Sequence, residues 1–263
     1  MRITGADAED ADALFEAVRV LAGDDQFFSH TTAARIHGMP LPMRLESCTD
    51  VHIASPTGRS RMQRPGVTGH RLQSEVVEID GMRVEARADT FIHLATLLTF
   101  EELVAVGDWL VSPQRAHPLT IEDLAATVRR YRGARGVGKA RRAVAAIRRG
   151  AESPRETLTR LLIVGAGLPE PMLQHEVFDE RGTFVGRLDL AWPHLRLAVE
   201  YDGEAHCSDR RQQERDIVRL RRLRELGWEV IQLGKRDLLD GGRAILATIR
   251  AAYERRASAR VAA

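Results

Sequence analysis

Apolar positions recur at helical spacing along the first segment of the chain. Leu14, Phe15, Val18 and Leu21 share one face of a helix expected to run to about residue 28. Ser29 or Thr31 is placed to cap a short helix over residues 33–37, and Gly38 with Pro40 would stop it. Strand-like runs follow at residues 50–54, at Val67–Arg71 and, after the Asp80-Gly81 turn, at residues 82–86. Helices over residues 88–98 and 100–110 complete an α+β unit whose end is marked by Pro113 and Pro118.

Two more helices are expected at residues 120–131 and 139–149, separated by a break at Gly133, Gly136 and Gly138, and a boundary falls at residues 150–154. The last third alternates between the two periods: helix 154–166, strands 173–178, 183–191 and 195–201, helix 209–226, strand 228–233 and helix 241–257. The predicted class is therefore α/β. A smaller α+β domain at residues 1–118 and a basic helical linker at 119–150 precede an α-β-β-β-α-β-α domain at 151–263.

Length supports this division, because 263 residues exceed the usual size of one domain. With 44% hydrophobic and 29% charged residues the composition is globular, and too apolar for a disordered chain. Cys48 and Cys207 have no CxxC partner spacing, which disfavours a disulfide framework and a zinc ribbon. The acidic start has no apolar signal core and no run is long enough for a membrane helix, so a cytoplasmic protein without a membrane partner is expected.

The net charge of +2 conceals a bias in kind: Lys139 and Lys235 are the only lysines among 39 basic residues. Nine of these basic residues, and no acidic one, fall between Arg129 and Arg149. Such a run is either a solvated helix face or a surface for phosphate.

Candidate chemistry concentrates in GRLDLAWPHLRLAVEYDGEAH, residues 186–206. Alternation around Leu188 and Leu190 on one strand, and Leu197 and Val199 on the next, brings Asp189 and Glu200 to one sheet face. A turn centred near Pro193 and His194 would set Asp189 opposite Ala198, with Glu200 one diagonal away. A turn centred one residue later pairs Asp189 with Glu200 directly. Asp202 joins that face if the strand continues. Carboxylates so placed repel one another, and Mg²⁺ or Mn²⁺ would resolve the conflict; the alternative is a solvent-facing Asp189 and a plain Asp202-Gly203 turn. The helix over 209–226 carries Ile217, Leu220, Leu223 and Leu226 on one stripe and arginines elsewhere, fitting either a solvated face or phosphate contact. Trp228 is expected in the core.

SPRETLTRLLIVGAGLPEP, the RLDLAW strand, AVEYDGEAH and RDIVRLRRLRELGWEVIQL, in that order, resemble the C-terminal endonuclease-like domain of the uncharacterised family numbered 559. That family is related to the very-short-patch repair endonucleases within the PD-(D/E)XK superfamily. The resemblance implies a restriction-endonuclease-like mixed sheet flanked by helices, with Asp189 and Glu200 as the metal pair. It sets His206 and Arg219 among further polar site residues, and Glu156 as the acid of the first core helix. Glu156 also fits a capping box, with Ser153 as N-cap, Pro154 next and the Glu156 carboxylate returning to the N-cap amide. The superfamily's lysine two residues after the second acid is Asp202 here, leaving Lys235, His206 or Arg219 to supply a proton or positive charge.

FFSHTTAARIHGMPLP together with GMRVEARADTFIHLATLLTFEELVAVGDWLV resembles the C-terminal region of AbiEi-type antitoxin proteins, without their winged helix. His30, His37, His52, His70 and His93 are too scattered along the chain to suggest a metal site. These readings lead to an expected Mg²⁺- or Mn²⁺-dependent endonuclease acting on nucleic acid, DNA in the first instance. Glu156, Asp189, Glu200, Asp202, His206 and Arg219 form its site. The rival is a catalytically inactive nucleic-acid-binding regulator or toxin–antitoxin component.

Overall fold

The computed structural model describes residues 5–202 and 210–261. The chain divides into two compact units, Met1–Arg149 and Gly150–Ala263, each of mixed α/β composition. None of the described helices is long and apolar enough to cross a membrane.

The first unit begins with α1 (Gly5–Leu21), which ends earlier than its periodicity suggests. Gln26 N–H donates to the Gly23 carbonyl at 2.9 Å, closing a turn that sends the chain into β1 (Phe27–Phe28). Both phenylalanines are buried, so pairing and burial override the helical pattern there. Next come α2 (His30–Ile36), α3 (Met43–Glu46), β2 (Val51–Ser55), β3 (Val67–Arg71), β4 (Val76–Ile79) and β5 (Met82–Glu85). Strand order is β3-β2-β1-β5-β4; β1 runs antiparallel to β2 and parallel to β5, and β2 runs parallel to β3.

Four helices follow: α4 (Arg87–Leu94), α5 (Phe100–Val111), α6 (Ile121–Arg130) and α7 (Val137–Ala146). Thr120 opens α6 with a reciprocal capping box to Asp123, at 3.0 and 2.9 Å. Leu124, Val128, Ala140, Ala143 and Ile147 are buried, as are Phe91, Leu103 and Leu110. Residues 119–150, expected as a basic linker, thus supply α6 and α7, and both lie within the first unit apart from Gly150.

The second unit contains α8 (Pro154–Gly165), β6 (Met172–Phe178), β7 (Phe184–Trp192), β8 (Leu197–Tyr201), α9 (Arg210–Glu225), β9 (Glu229–Leu233) and α10 (Arg243–Val261). Its sheet has the order β6-β7-β8-β9, antiparallel at the first two junctions and parallel at the last. Parallel pairing of β8 with β9 requires a crossover, which α9 provides. One core joins Leu190, Trp192, Leu197 and Val199 to Ile163, Ile245 and Ile249; another joins Ala191 and Ala198 to Leu223 and Trp228. The alternation of these two sets along β7 and β8 places helices on both faces of the sheet, and Trp228 is core as expected.

Candidate functional site

The register of β7 and β8 is set by the short 3₁₀ turn Pro193–Leu195 and by Arg196, which is left-handed with φ 47°. Trp192 pairs with Leu197, Ala191 with Ala198 and Leu190 with Val199, and one further step along this register places Asp189 opposite Glu200. The direct alternative of the two expected registers is therefore the one adopted. At that step the ladder uses a side chain: the Tyr201 N–H donates to Asp189 Oδ2 at 3.1 Å. Burial, reinforced by the neighbouring carboxylates of Glu156 and Glu200, pushes the Asp189 carboxyl up to about 7 despite that hydrogen bond.

Glu200 is buried on the face that meets α9 and is bound there by Arg219. The guanidinium donates from Nη1 to Oε1 at 2.7 Å and from Nη2 to Oε2 at 3.0 Å, a bidentate fork that raises the arginine's own pKa. Gly186 on β7 leaves the room that Arg219 crosses: a Cβ at 186 would stand 3.1 Å from its Cδ and 3.2 Å from its Cγ. A glycine inside the strand FVGRLDLAW was the available sequence signal for this close approach.

Glu156 occupies the first turn of α8 and is buried. Ser153 Oγ accepts from the Glu156 N–H at 3.2 Å, as a capping residue should. The return contact differs from the expected box, because Glu156 Oε2 accepts from the Glu152 N–H at 2.9 Å rather than from the Ser153 amide. It accepts from Gln174 Nε2 as well, at 2.8 Å. Burial raises the Glu156 carboxyl above its ordinary value even though all three hydrogen bonds oppose the shift.

A cleft of about 770 Å³ opens beside Asp189, Glu200 and Arg219 and is lined also by Gln174, Asp202 and Gln232; Glu156 is not among its lining residues. Asp202 is exposed at its rim, with its backbone N–H donating to the Leu233 carbonyl at 2.8 Å. Ile217 lines the cleft too and is 58% exposed, so the apolar stripe expected along this helix breaks there; Leu223 alone of its four members is fully buried. Lys235 is exposed and begins a 3₁₀ segment, Lys235–Gly242. His206 lies outside the described residues. Among the described residues, the carboxylates of Glu156, Asp189 and Glu200 do not form a group with ligand atoms all within 4.8 Å of one another.

In the first unit the basic run is divided. Arg129, Arg132, Arg135, Arg141, Arg142 and Arg149 are exposed, whereas three other members are committed within the fold. Arg130 Nη2 donates to both oxygens of the buried Asp89 at 2.7 and 2.6 Å, Lys139 Nζ donates to the Leu98 carbonyl at 2.6 Å, and Arg148 donates to backbone carbonyls. Tyr131 also donates to Asp89, and burial with that hydrogen bond raises its hydroxyl far above the ordinary range.

Four of the five histidines judged scattered along the chain converge in this unit. The rings of His52, His70 and His93 all lie beside His30, with centroids 5.3, 4.0 and 5.1 Å from it. His37 instead contacts the Glu85 carbonyl through Nε2 at 2.7 Å. Burial pushes His30 down to about 2 and His52 and His70 to about 4, so all three rings are neutral at physiological pH.

The chain is 29% identical over 202 residues to MT2308 and to Rv2248, two proteins from different strains of Mycobacterium tuberculosis that are described as uncharacterized. Each alignment covers 77% of this chain and 72% of the relative. No family model matches the sequence, and no solved structure matches it.

Proposed function

We propose that this protein is a cytoplasmic, metal-dependent endonuclease that hydrolyses phosphodiester bonds of DNA, and that its second unit has a restriction-endonuclease-like fold. The observation that carries the reading is the placement of Asp189 opposite Glu200 across β7 and β8 at an open cleft, with the Asp189 carboxyl raised by burial and by its acidic neighbours. Carboxylates held together against their repulsion are a familiar arrangement for a cation site. The described lining supplies oxygen donors and neither thiol nor imidazole, a donor chemistry that suits Mg²⁺ or Mn²⁺.

Asp189, Glu200 and Glu156 would hold the ion once their oxygens, which do not all lie within 4.8 Å of one another here, draw together around it; when bound it supplies Lewis-acid polarisation of the phosphate and a water of lowered pKa. Arg219 has two tasks in this reading. In the absence of a cation it neutralises Glu200 through both oxygens, and with substrate present its planar fork suits a phosphate oxygen equally well. Gln174 and the Glu152 amide orient Glu156. Asp202 sits at the rim, near enough to the cleft to position water, and His206 is the proposed proton donor. The exposed arginines of residues 129–149 and of α9 would bind backbone phosphates.

A second reading is favoured by two specific observations. Both oxygens of Glu200 are already engaged by Arg219, and residue 202 is an aspartate where the resembled superfamily has lysine. A nucleic-acid-binding regulator of a toxin–antitoxin system would retain that internal ion pair as a structural element. Plasmid incubated with purified protein and Mg²⁺ or Mn²⁺ separates the two: nicking that disappears in Asp189→Ala supports the enzyme, and binding without cleavage by either protein supports the regulator.

A further inference from the structure

We infer that the first unit binds a divalent transition-metal ion of the zinc class on His30, His52 and His70. One potential ligand atom from each ring lies within 4.8 Å of the other two. These residues are distant in sequence and reach one place from three elements. His52 is on β2 and His70 on β3, and the parallel register that pairs Ala54 with His70 puts both rings on one sheet face, two residues out of step. His30 opens α2, and the Ser29 N–H beside it donates to the His52 carbonyl at 3.0 Å, which fixes the helix start over that face.

The donor atoms can be assigned from the contacts. His30 Nδ1 lies 3.1 Å from Ser29 Oγ, leaving Nε2 as its ligand atom and Ser29 as the support that orients the ring. His52 Nδ1 and His70 Nε2 lie 3.0 Å apart. Two imidazole nitrogens at about 2.0–2.1 Å from a tetrahedral ion stand roughly 3.3 Å apart, so their separation is already within a few tenths of an ångström of that needed, and ligation further requires the stacked rings, 17° and 19° from parallel, to turn until their lone pairs converge. In the metal-free state one of these two nitrogens carries the proton of their hydrogen bond. Ligation moves that proton to the other nitrogen of the same ring, leaving the net charge of the imidazole unchanged.

Two further features fit a metal site better than a merely packed cluster. His30 is a non-glycine residue at φ 48°, a left-handed conformation that costs about 1 kcal/mol or more and is retained where surrounding structure requires it. Glu85, fully buried, places a carboxylate at the edge of the cluster: its Oε2 accepts from the His30 N–H at 3.4 Å and its Oε1 lies 2.6 Å from His93 Nδ1. His70 is only partly buried, which gives an ion a way in. Three imidazoles complete three positions of a tetrahedron and leave a fourth for water or an added ligand. The imidazole nitrogen donors distinguish this site from the oxygen-lined cleft of the second unit.

The test uses the full chain, stripped of metal and titrated first with Co²⁺ and then with Zn²⁺. A single tetrahedral Co²⁺ per chain is expected from its intense visible absorption, with Zn²⁺ displacing it. Loss of a supporting partner typically weakens metal binding by about 10–100-fold, so His52→Gln and His70→Gln, which remove ligands, should each exceed that loss. Asp189→Ala should leave the Co²⁺ spectrum unchanged, so failure here and failure of the nuclease reading are distinguishable. Absence of tetrahedral Co²⁺ binding by the wild type, or its persistence in folded histidine variants, overturns the inference. Should those variants not fold, X-ray absorption of the zinc-loaded wild type decides: imidazole scattering from three nitrogens supports the site, and an oxygen shell refutes it.

Discussion

Arg219 reaches from α9 across Gly186 to hold both oxygens of Glu200, at 2.7 and 3.0 Å. The pair ties the crossover helix to β8 and leaves the buried carboxylate with a full counter-charge. Arg219→Met keeps most of the stem and deletes the fork, so Glu200 becomes a buried charge without that partner. We expect a loss of about 1–3 kcal/mol in chelator, read by denaturant unfolding. Under the cation-site reading, Mn²⁺ should then stabilise Arg219→Met more than it does the wild type, because the ion replaces the missing positive charge. An equal or smaller Mn²⁺ effect on the variant would count against a cation site at Glu200.

Asp189 gives stability a pH dependence of known sign. Its folded-state value of about 7 lies above the ordinary 3.8, so between those limits the folded protein holds a proton that the unfolded chain releases. This contribution is present at low pH and is lost as pH rises toward 7. Asp189→Asn removes the titration while leaving an oxygen to accept from the Tyr201 N–H. In chelator the variant should therefore melt above the wild type at pH 8, and the advantage should shrink steadily toward pH 5. A constant difference across that range would show that Asp189 is not the group responsible.

Glu156 combines a structural role with a proposed ligand role, and two substitutions separate them. Ser153→Ala removes the side-chain cap of α8 and should cost about 0.5–2 kcal/mol without altering divalent-ion binding. Glu156→Gln keeps an oxygen for the Glu152 and Gln174 N–H groups, so its melting temperature should stay near that of the wild type while metal-dependent cleavage is abolished. A Glu156→Gln protein that cleaves normally would leave Glu156 as a helix-start residue only.

Arginine contacts to phosphate make nucleic-acid affinity steeply salt-dependent, by about 0.9 log unit per contact for each tenfold change in salt on duplex DNA. Arg141 and Arg142 are exposed on α7. Replacing both with alanine should flatten the slope by about two contacts and weaken binding equally on unrelated sequences, since phosphate contacts carry no base information. Binding measured by fluorescence anisotropy across a salt series checks this. An unchanged slope would remove α7 from the nucleic-acid surface.

Local pattern in the sequence was enough to place much of the second unit. The alternation of apolar residues located β7, β8 and β9 to within about two residues at each end, and the alternation around Leu188 and Leu190 and around Leu197 and Val199 put Asp189 and Glu200 on one face. Periodicity reports which side of an element a residue occupies, and that is a property of neighbouring residues alone. It could not choose between two registers, because the choice depended on the left-handed Arg196 closing the turn one position later. It expected Ile217 to join a buried stripe, whereas that side chain is exposed and lines the cleft. The Arg219–Glu200 fork spans 19 residues, and the histidine cluster collects single residues from a helix start and two parallel strands. Such long-range encounters leave no spacing in the sequence to read, because chain crossings bring those residues together. Tertiary structure alone decided that Asp189 stands opposite Glu200 along the β7–β8 register, that Glu200 is held by arginine, and that three separate histidines share one place.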